Sequence, residues 1–171
     1  MKILNDFNTT VKKALEEIDS NYMEYEGLVI CGTHSPHDVE KLIDEIREAR
    51  EKGTPFLGIC FGHQLAAIEY ARNVLGISNA TSEEFGEGVF VVYKLPQLNV
   101  GLLFSYPEKT EEGIKSTLES FWNNFEVMPD ILNRWEKPSN FITCQYHPEY
   151  QSSKDNPHPL LLQFIKTCKV S

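Results

Sequence analysis

The residue whose setting most strongly suggests chemistry is Cys60, in the segment Gly58-Ile59-Cys60-Phe61-Gly62. A nucleophile between two glycines at this spacing is typical of a sharp turn that leads from a strand into a helix. There the helix dipole and free backbone amides favour the reactive thiolate, and the Phe61 N–H is placed to donate to an oxyanion. The alternative is a core cysteine whose glycine neighbours serve only packing. The strand and helix predicted on either side favour the nucleophile.

A nucleophilic cysteine needs a proton acceptor, and the sequence contains five histidines. His147 directly follows the apolar run 141–146 and begins the motif His147-Pro148-Glu149. A rigid corner at a strand end can hold an imidazole over a nucleophile on a neighbouring strand and bring a carboxylate to the other ring nitrogen. We therefore expect His147 to be the base and Glu149 to orient it. His158, between two prolines, is expected to be exposed.

The elements that must position these side chains are short apolar runs that alternate with helical periodicity. Strands are predicted at 28–31, 56–59 and 141–146, with one or two more between 90 and 103. Helices are predicted at 11–18, from 35 to at least 46, and at 63–75, 110–121 and 159–168. This pattern predicts a three-layer α/β fold, in which a mostly parallel central sheet carries helices on both faces. Active sites in such sheets lie at the carboxyl ends of the strands.

Composition narrows the class of protein. The 171 residues suit one domain covering 1–171, and the net charge of −9 argues against binding nucleic acid or anionic membranes. No stretch has the length and hydrophobicity of a secretory signal or a membrane span. Four scattered cysteines form no CxxC pair, which disfavours disulfides and a metal site. We expect a cytoplasmic protein that needs no metal or cofactor.

Two segments resemble a known family. Residues 55–66 (PFLGICFGHQLA) are similar to the nucleophile motif of the class I, or triad, glutamine amidotransferases. Residues 71–76, 82–85, 145–152 and 157–160 resemble specifically the amidotransferase domain of CTP synthases. The resemblance is specific from about residue 27 to 90 and from 140 to 166. It implies the flavodoxin-like fold of that family.

The resemblance also implies an activity and a role for each matching residue. In the family a cysteine attacks the side-chain amide of glutamine, a glutamyl thioester forms, and the ammonia passes to a synthetase. Here Cys60 would be the nucleophile, His147 the general base and acid, and Glu149 the residue that orients His147. The implied oxyanion amides are those of Gly32, Thr33 and Phe61, and the implied contacts to the amino-acid part of glutamine are Gln64 and Glu84.

The chain departs from the family in three ways. Cys31-Gly32-Thr33 replaces Pro-Gly-Gly, so a side chain at Thr33 narrows the pocket. Residues 120–126 (SFWNNFE) replace a stretch that is rich in arginine and histidine in CTP synthases. An arginine there would anchor the α-carboxylate, and Arg134 is the nearby candidate to substitute for it. Losing that charge-assisted contact costs about 1.5–3 kcal/mol, or one to two decades in affinity. No synthetase domain is attached, which implies a separate synthetase partner.

Three functions fit these observations. The first is a glutaminase that hands ammonia to a separate synthetase. The second keeps the triad but cleaves another γ-glutamyl amide, because the missing arginine changes how the α-carboxylate is handled. The third is a catalytically silent interaction module, which the intact Cys60, His147 and Glu149 disfavour.

Overall fold

The computed structural model describes residues 1–110 and 113–170, and the side chains within 1–101 and 118–170. Its strands are β1 (Lys2–Leu4), β2 (Leu28–Ile30), β3 (Phe56–Ile59), β4 (Ala80–Ser82), β5 (Val89–Thr110), β6 (Gly113–Val127) and β7 (Phe141–Cys144). Its α-helices are α1 (Thr10–Ile18), α2 (Val39–Lys52), α3 (Phe61–Asn73), α4 (Pro129–Arg134) and α5 (Pro159–Lys169). None of the described helices is both long and apolar enough to cross a membrane.

The central sheet has the strand order β1-β2-β3-β7, and all of its strand pairs are parallel. Strands β2 and β3 are buried along their whole length, as expected of strands covered on both faces. Their side chains alternate between two apolar clusters: Leu28, Ile30 and Phe56 enter one, while Val29, Leu57 and Ile59 enter the other. The ends of β3 and β7 lie side by side, because Ile59 pairs with Cys144.

Helices cover both faces of this sheet. The cluster that contains Phe56 also contains the apolar residues of α2 and α3, and the cluster that contains Leu57 contains those of α1 and α5. Helix α3 is apolar on more than one side, since eleven of its residues are buried. The predicted α/β fold, with a mostly parallel sheet between helical layers, is therefore confirmed.

The second sheet corrects one prediction. Residues 110–121 are not a helix, because β6 runs from Gly113 to Val127 and pairs antiparallel with β5. Leu118, predicted to face inward on that helix, is 62% exposed, whereas the neighbouring Glu119 is buried. Pairing with β5 supplies the backbone hydrogen bonds that a helix would otherwise make internally. The acidic pair at 111 and 112 in the predicted first turn lies outside the described residues.

Other differences are smaller. Helix α2 begins at Val39 instead of near residue 35, because Asp38 takes a left-handed conformation (φ 52°). The short elements β1, β4 and α4 were not predicted, since three to six residues carry too little periodicity to be recognised. Strand β5 continues through Pro96, where a turn was expected.

Candidate active site

Cys60 lies at the turn between β3 and α3, at the carboxyl edge of the central sheet. Its backbone has φ 53° and ψ −102°, a strained combination for a residue with a side chain. The positions on either side of residues 59–61 are glycines because other backbone atoms lie too close to where their Cβ atoms would be. A Cβ added at Gly62 would lie 2.1 Å from the Ile30 carbonyl oxygen, and one at Gly58 would lie 2.9 Å from the Gly62 backbone. The turn therefore requires glycine on both sides of the cysteine.

His147 follows β7 and faces Cys60. Its backbone N–H donates to the Ser120 carbonyl of β6 at 2.8 Å, and its ring stacks on Tyr150 with centroids 5.0 Å apart. The ring atom Nδ1 lies 2.7 Å from Oε1 of Glu149, which begins the turn after Pro148. With the Nδ1 proton held by the carboxylate, Nε2 is the ring atom left for the sulfur. Cys60, His147 and Glu149 were grouped from the sequence, and the fold brings their side chains together.

The pKa of His147 indicates that its ring can hold a proton beside Cys60 and Glu149. Burial lowers the pKa of His147, but its contacts with Cys60 and Glu149 outweigh burial and raise that pKa to about 10. A protonated imidazole can give its proton to a neighbouring group, so this ring is suited to carry protons beside the sulfur. His63, the histidine nearest in sequence to Cys60, has a different environment: burial and Lys137 lower its pKa to about 3, and its Nδ1 meets Thr143 Oγ1 at 3.0 Å.

Gly32 provides a test of this geometry. A Cβ added there would lie 2.8 Å from Cε1 of His147 and 3.2 Å from the Cβ of Cys60, so Gly32→Ala must push the two side chains apart. Because a displacement of about 1 Å at a reacting centre can cost about 10²-fold, we expect kcat/KM for any reaction that needs both side chains to fall about 10²-fold. Steady-state kinetics and the thermal midpoint check this. Full activity in a correctly folded variant contradicts the arrangement.

Two glutamines extend the site behind the sulfur. Gln145 Nε2 lies 3.5 Å from Cys60 Sγ, and Gln145 Oε1 accepts from Gln64 Nε2 at 3.2 Å. Gln64 Nε2 also donates to the Phe125 carbonyl at 2.7 Å. These bonds fix the direction of both amides, so that an N–H of Gln145 points at the sulfur. The contact was missed from the sequence, although Gln145 stands two residues before His147 and extended chain places such residues on one side.

Two cavities meet at Cys60. The larger, of about 410 Å³, is lined by His147, Glu149 and Tyr150 and by the segment before α1. The smaller, of about 120 Å³, is lined by Phe61, Gln64 and Glu84 and by residues of β6. Four residues line both cavities: Thr33, His34, Cys60 and Trp122. The site therefore has two compartments, one on each side of Cys60.

The residues named for the oxyanion and for substrate occupy this site. Phe61 begins α3, where backbone N–H groups have no acceptor within the helix. Thr33 lies between the cavities, and its Oγ1 accepts from Ser35 N at 3.1 Å. Gln64 and Glu84 line the smaller cavity, and burial raises the pKa of Glu84. The roles of Gly32, Thr33, Phe61, Gln64 and Glu84 stay predictions.

Arg134 does not replace the missing arginine. It lies on α4 and pairs with Asp130 at 3.4 Å, and it is absent from the described lining of both cavities. The short helix α4 was not predicted from the sequence, so the pairing of Arg134 with Asp130 one helical turn earlier was not expected. The described lining of the smaller cavity offers His34, Asn123 and Asn124 as polar groups instead.

A second buried histidine–carboxylate pair corrects the expectation for His158. The residue is 5% exposed, and its Nε2 lies 3.0 Å from Oε1 of Glu119. Its Nδ1 accepts from Leu160 N at 3.1 Å, so His158 caps α5 instead of facing solvent. The flanking prolines led to the expectation of an exposed side chain. The ring is instead buried, because it bonds to Glu119 on one side and to the first turn of α5 on the other. Neither His158 nor Glu119 belongs to the described lining of the two cavities.

Comparison with known proteins agrees with this architecture. A family model described as glutamine amidotransferase class-I matches residues 4–167. The CTP synthase of Methanoregula boonei is 32% identical over 86% of this chain and 35% of its own length, and that of Encephalitozoon cuniculi is 31% identical over 82% and 33%. The chain thus spans about a third of the length of these relatives.

A solved structure shows the same fold. The glutaminase domain of Trypanosoma brucei CTPS with bound acivicin superimposes with a TM-score of 0.78 at 19% identity, over 100% of this chain and 95% of that one. The flavodoxin-like fold expected from the resemblance is confirmed by this likeness.

Proposed function

Because this chain belongs to the class I glutamine amidotransferase family, we propose that it hydrolyses the side-chain amide of glutamine through a thioester on Cys60. In this proposal residues 1–171 form one amidotransferase domain. The observation that carries it is the meeting of Cys60, His147 and Glu149 at the adjacent ends of β3 and β7. Nucleophile, base and orienting carboxylate in that order are the requirement for nucleophilic acyl transfer.

The first half-reaction forms the thioester. The glutamyl part of the substrate lies in the smaller cavity, where Gln64 and Glu84 contact its amino-acid end. The sulfur of Cys60 attacks the amide carbon, and the backbone N–H groups of Phe61 and Thr33 stabilise the oxyanion that forms. Protonated His147 then donates its Nε2 proton to the amide nitrogen, and ammonia leaves.

The second half-reaction releases glutamate. Neutral His147 takes a proton from a water molecule, which attacks the thioester carbon and breaks the C–S bond. The proton and the thiolate return to their starting positions, and Glu149 holds the ring in one tautomer throughout. Gln145, through its contact with the sulfur, favours the position that the thiolate needs before each attack.

The ammonia is proposed to pass to a separate synthetase partner. Support for a synthetase as the acceptor comes from the relatives at 32–33% identity, which are CTP synthases. In this proposal the partner consumes the ammonia and this chain hydrolyses glutamine.

A glutaminase assay tests the proposal. The purified chain should release glutamate from L-glutamine, and a glutamine-mimicking electrophile should label Cys60, as seen by mass spectrometry of the tryptic peptide. Adding cell extract that contains the partner should raise the rate and move label from amide-¹⁵N-glutamine into an aminated product. Absence of both hydrolysis and labelling, with and without extract, contradicts the proposed function and favours the silent module.

A further inference from the structure

The two cavities differ in which catalytic residues they contain. His147 and Glu149 line only the larger one, and Gln64 and Glu84 line only the smaller one. In the proposed chemistry the leaving nitrogen receives its proton from His147, so it must lie on the His147 side of Cys60. The acyl part then lies in the smaller cavity and the leaving amine in the larger. This assignment rests on the proposed function.

The larger cavity is much bigger than ammonia requires. A molecule the size of water takes a share of about 30 Å³ in a liquid, and ammonia is of similar size. The cavity measures about 410 Å³, which falls in the range of about 300–1,000 Å³ found for pockets that hold small organic ligands. The space on the leaving-group side therefore admits a substituent on the amide nitrogen.

Aromatic side chains surround this space. Phe7, Trp122 and Tyr150 line the cavity and are 66%, 37% and 47% exposed. The rings of Trp122 and Tyr150 lie edge to face with centroids 6.4 Å apart, and Tyr150 stacks on His147. These partly exposed rings offer apolar surface on the leaving-group side of Cys60, and such surface suits an aromatic group because aromatic pairs prefer edge-to-face and offset contacts.

The charges around the cavity disfavour leaving groups that carry a carboxylate. Its described lining contains the carboxylates of Asp6 and Glu149 but no lysine or arginine. Both carboxylates have partners, because Asp6 accepts from the backbone N–H of Val11 and Lys12 and Glu149 meets His147. An amine that carries its own carboxylate, as in a γ-glutamyl peptide, would meet these two carboxylates in a cavity whose described lining has no lysine or arginine, and the His147 ring beside it is already paired with Glu149. An uncharged amine meets no such repulsion.

We propose that this site also hydrolyses γ-glutamyl amides whose leaving amine carries an aromatic ring and no carboxylate, with that ring held against Phe7, Trp122 and Tyr150. The reaction is the addition of water across the amide: the C–N bond breaks, His147 protonates the departing amine, and water then releases glutamate from Cys60. The products are glutamate and a primary amine, and no other reactant is needed. A single set of catalytic residues thus serves two leaving groups.

A matched pair of substrates tests the proposal. The γ-glutamyl amide of phenethylamine and γ-glutamyl-phenylalanine differ only in one carboxylate on the leaving group. With the full chain, kcat/KM for the phenethylamide should exceed that for L-glutamine by about tenfold and that for the dipeptide by at least about tenfold. Phe7→Ala should lower the ratio of phenethylamide to glutamine hydrolysis about fivefold, because one aromatic contact is lost.

The outcomes separate this proposal from the function on which it rests. Glutamine hydrolysis without faster cleavage of the phenethylamide overturns the inference and leaves the glutaminase intact. Equal rates for the phenethylamide and the dipeptide overturn it as well, because the charge argument then fails. Cleavage of the phenethylamide alone supports the inference and overturns glutamine as the substrate. Amide cleavage that persists in Cys60→Ala overturns both.

Discussion

Replacing Cys60 by alanine is expected to lower kcat/KM for amide hydrolysis by about 10⁴-fold or more, because no other group can form the thioester. The fold should persist, since the change removes one sulfur atom from a side chain that is already small. Steady-state kinetics with glutamate detection measure the first effect, and thermal unfolding measures the second. Equal hydrolysis by the wild type and the variant contradicts the assignment of the nucleophile.

Cys60→Gly is the control that separates chemistry from backbone strain. Like alanine, glycine lacks the sulfur, so it should be equally inactive. Unlike alanine, it has no Cβ to clash at φ 53°, where a residue with a side chain costs about 1–3 kcal/mol. We therefore expect Cys60→Gly to be more stable than Cys60→Ala by about 1 kcal/mol, which is the reverse of the usual order in regular structure. The usual order would contradict the strained turn.

Glu149→Gln is expected to lower kcat by about 10²–10⁴-fold, because glutamine can donate to Nδ1 and thereby favour the wrong tautomer of His147. Glu119→Gln is the matched control. Each carboxylate is buried and has Oε1 against a histidine nitrogen, and neither Oε2 has a hydrogen-bond partner among the described residues. Both variants should lose stability to a similar extent, but only Glu149→Gln should lose most of its activity. Equal losses of activity would mean that Glu149 acts only through the fold.

The same variant should change how stability depends on pH. The pKa of His147 is about 10 in the folded chain and about 6.5 in an unfolded one. Because this pKa is higher in the folded chain, the protonated ring of His147 contributes to the free energy of unfolding. That contribution is complete below pH 6.5 and is lost as the pH rises towards 10. In Glu149→Gln the pKa of His147 should fall, so less stability should be lost over this interval. Denaturant unfolding at pH 6.5, 8 and 9.5 measures the difference, and identical profiles contradict the raised pKa.

The parts of the fold that could be predicted from sequence are those with a strong local signal. Strand β3 was predicted with its observed bounds, because a short apolar run bounded by Pro55 and the turn at Cys60 is typical of a buried strand. The corner at His147 was recognised because proline limits the backbone next to an apolar strand. In both cases the pattern that allowed the prediction lies within a few residues of the side chain concerned, Cys60 or His147.

The parts that could not be predicted depend on distant partners. Strand β6 was read as a helix because Ile114, Leu118 and Phe121 have helical spacing, and only pairing with β5 decides otherwise. The burial of His158 depends on Glu119, which is 39 residues away. The bonds from Gln64 and Gln145 to the site are equally non-local, at 61 to 85 residues. Periodicity carries no information about such pairs.

Strand β6 contacts Cys60 and His147 through its main chain. The Ser120 carbonyl accepts from His147 N–H, and the Trp122 carbonyl lies 3.7 Å from Cys60 Sγ. Every amino acid has a carbonyl, so substitutions along this strand can change what the pocket recognises without moving the reacting atoms. Alternate residues of a strand are about 6.6 Å apart, and this spacing sets the distance between the two carbonyl contacts. Single substitutions along β6 can therefore change substrate preference, whereas an insertion or deletion of one residue would shift a carbonyl away from His147 or Cys60.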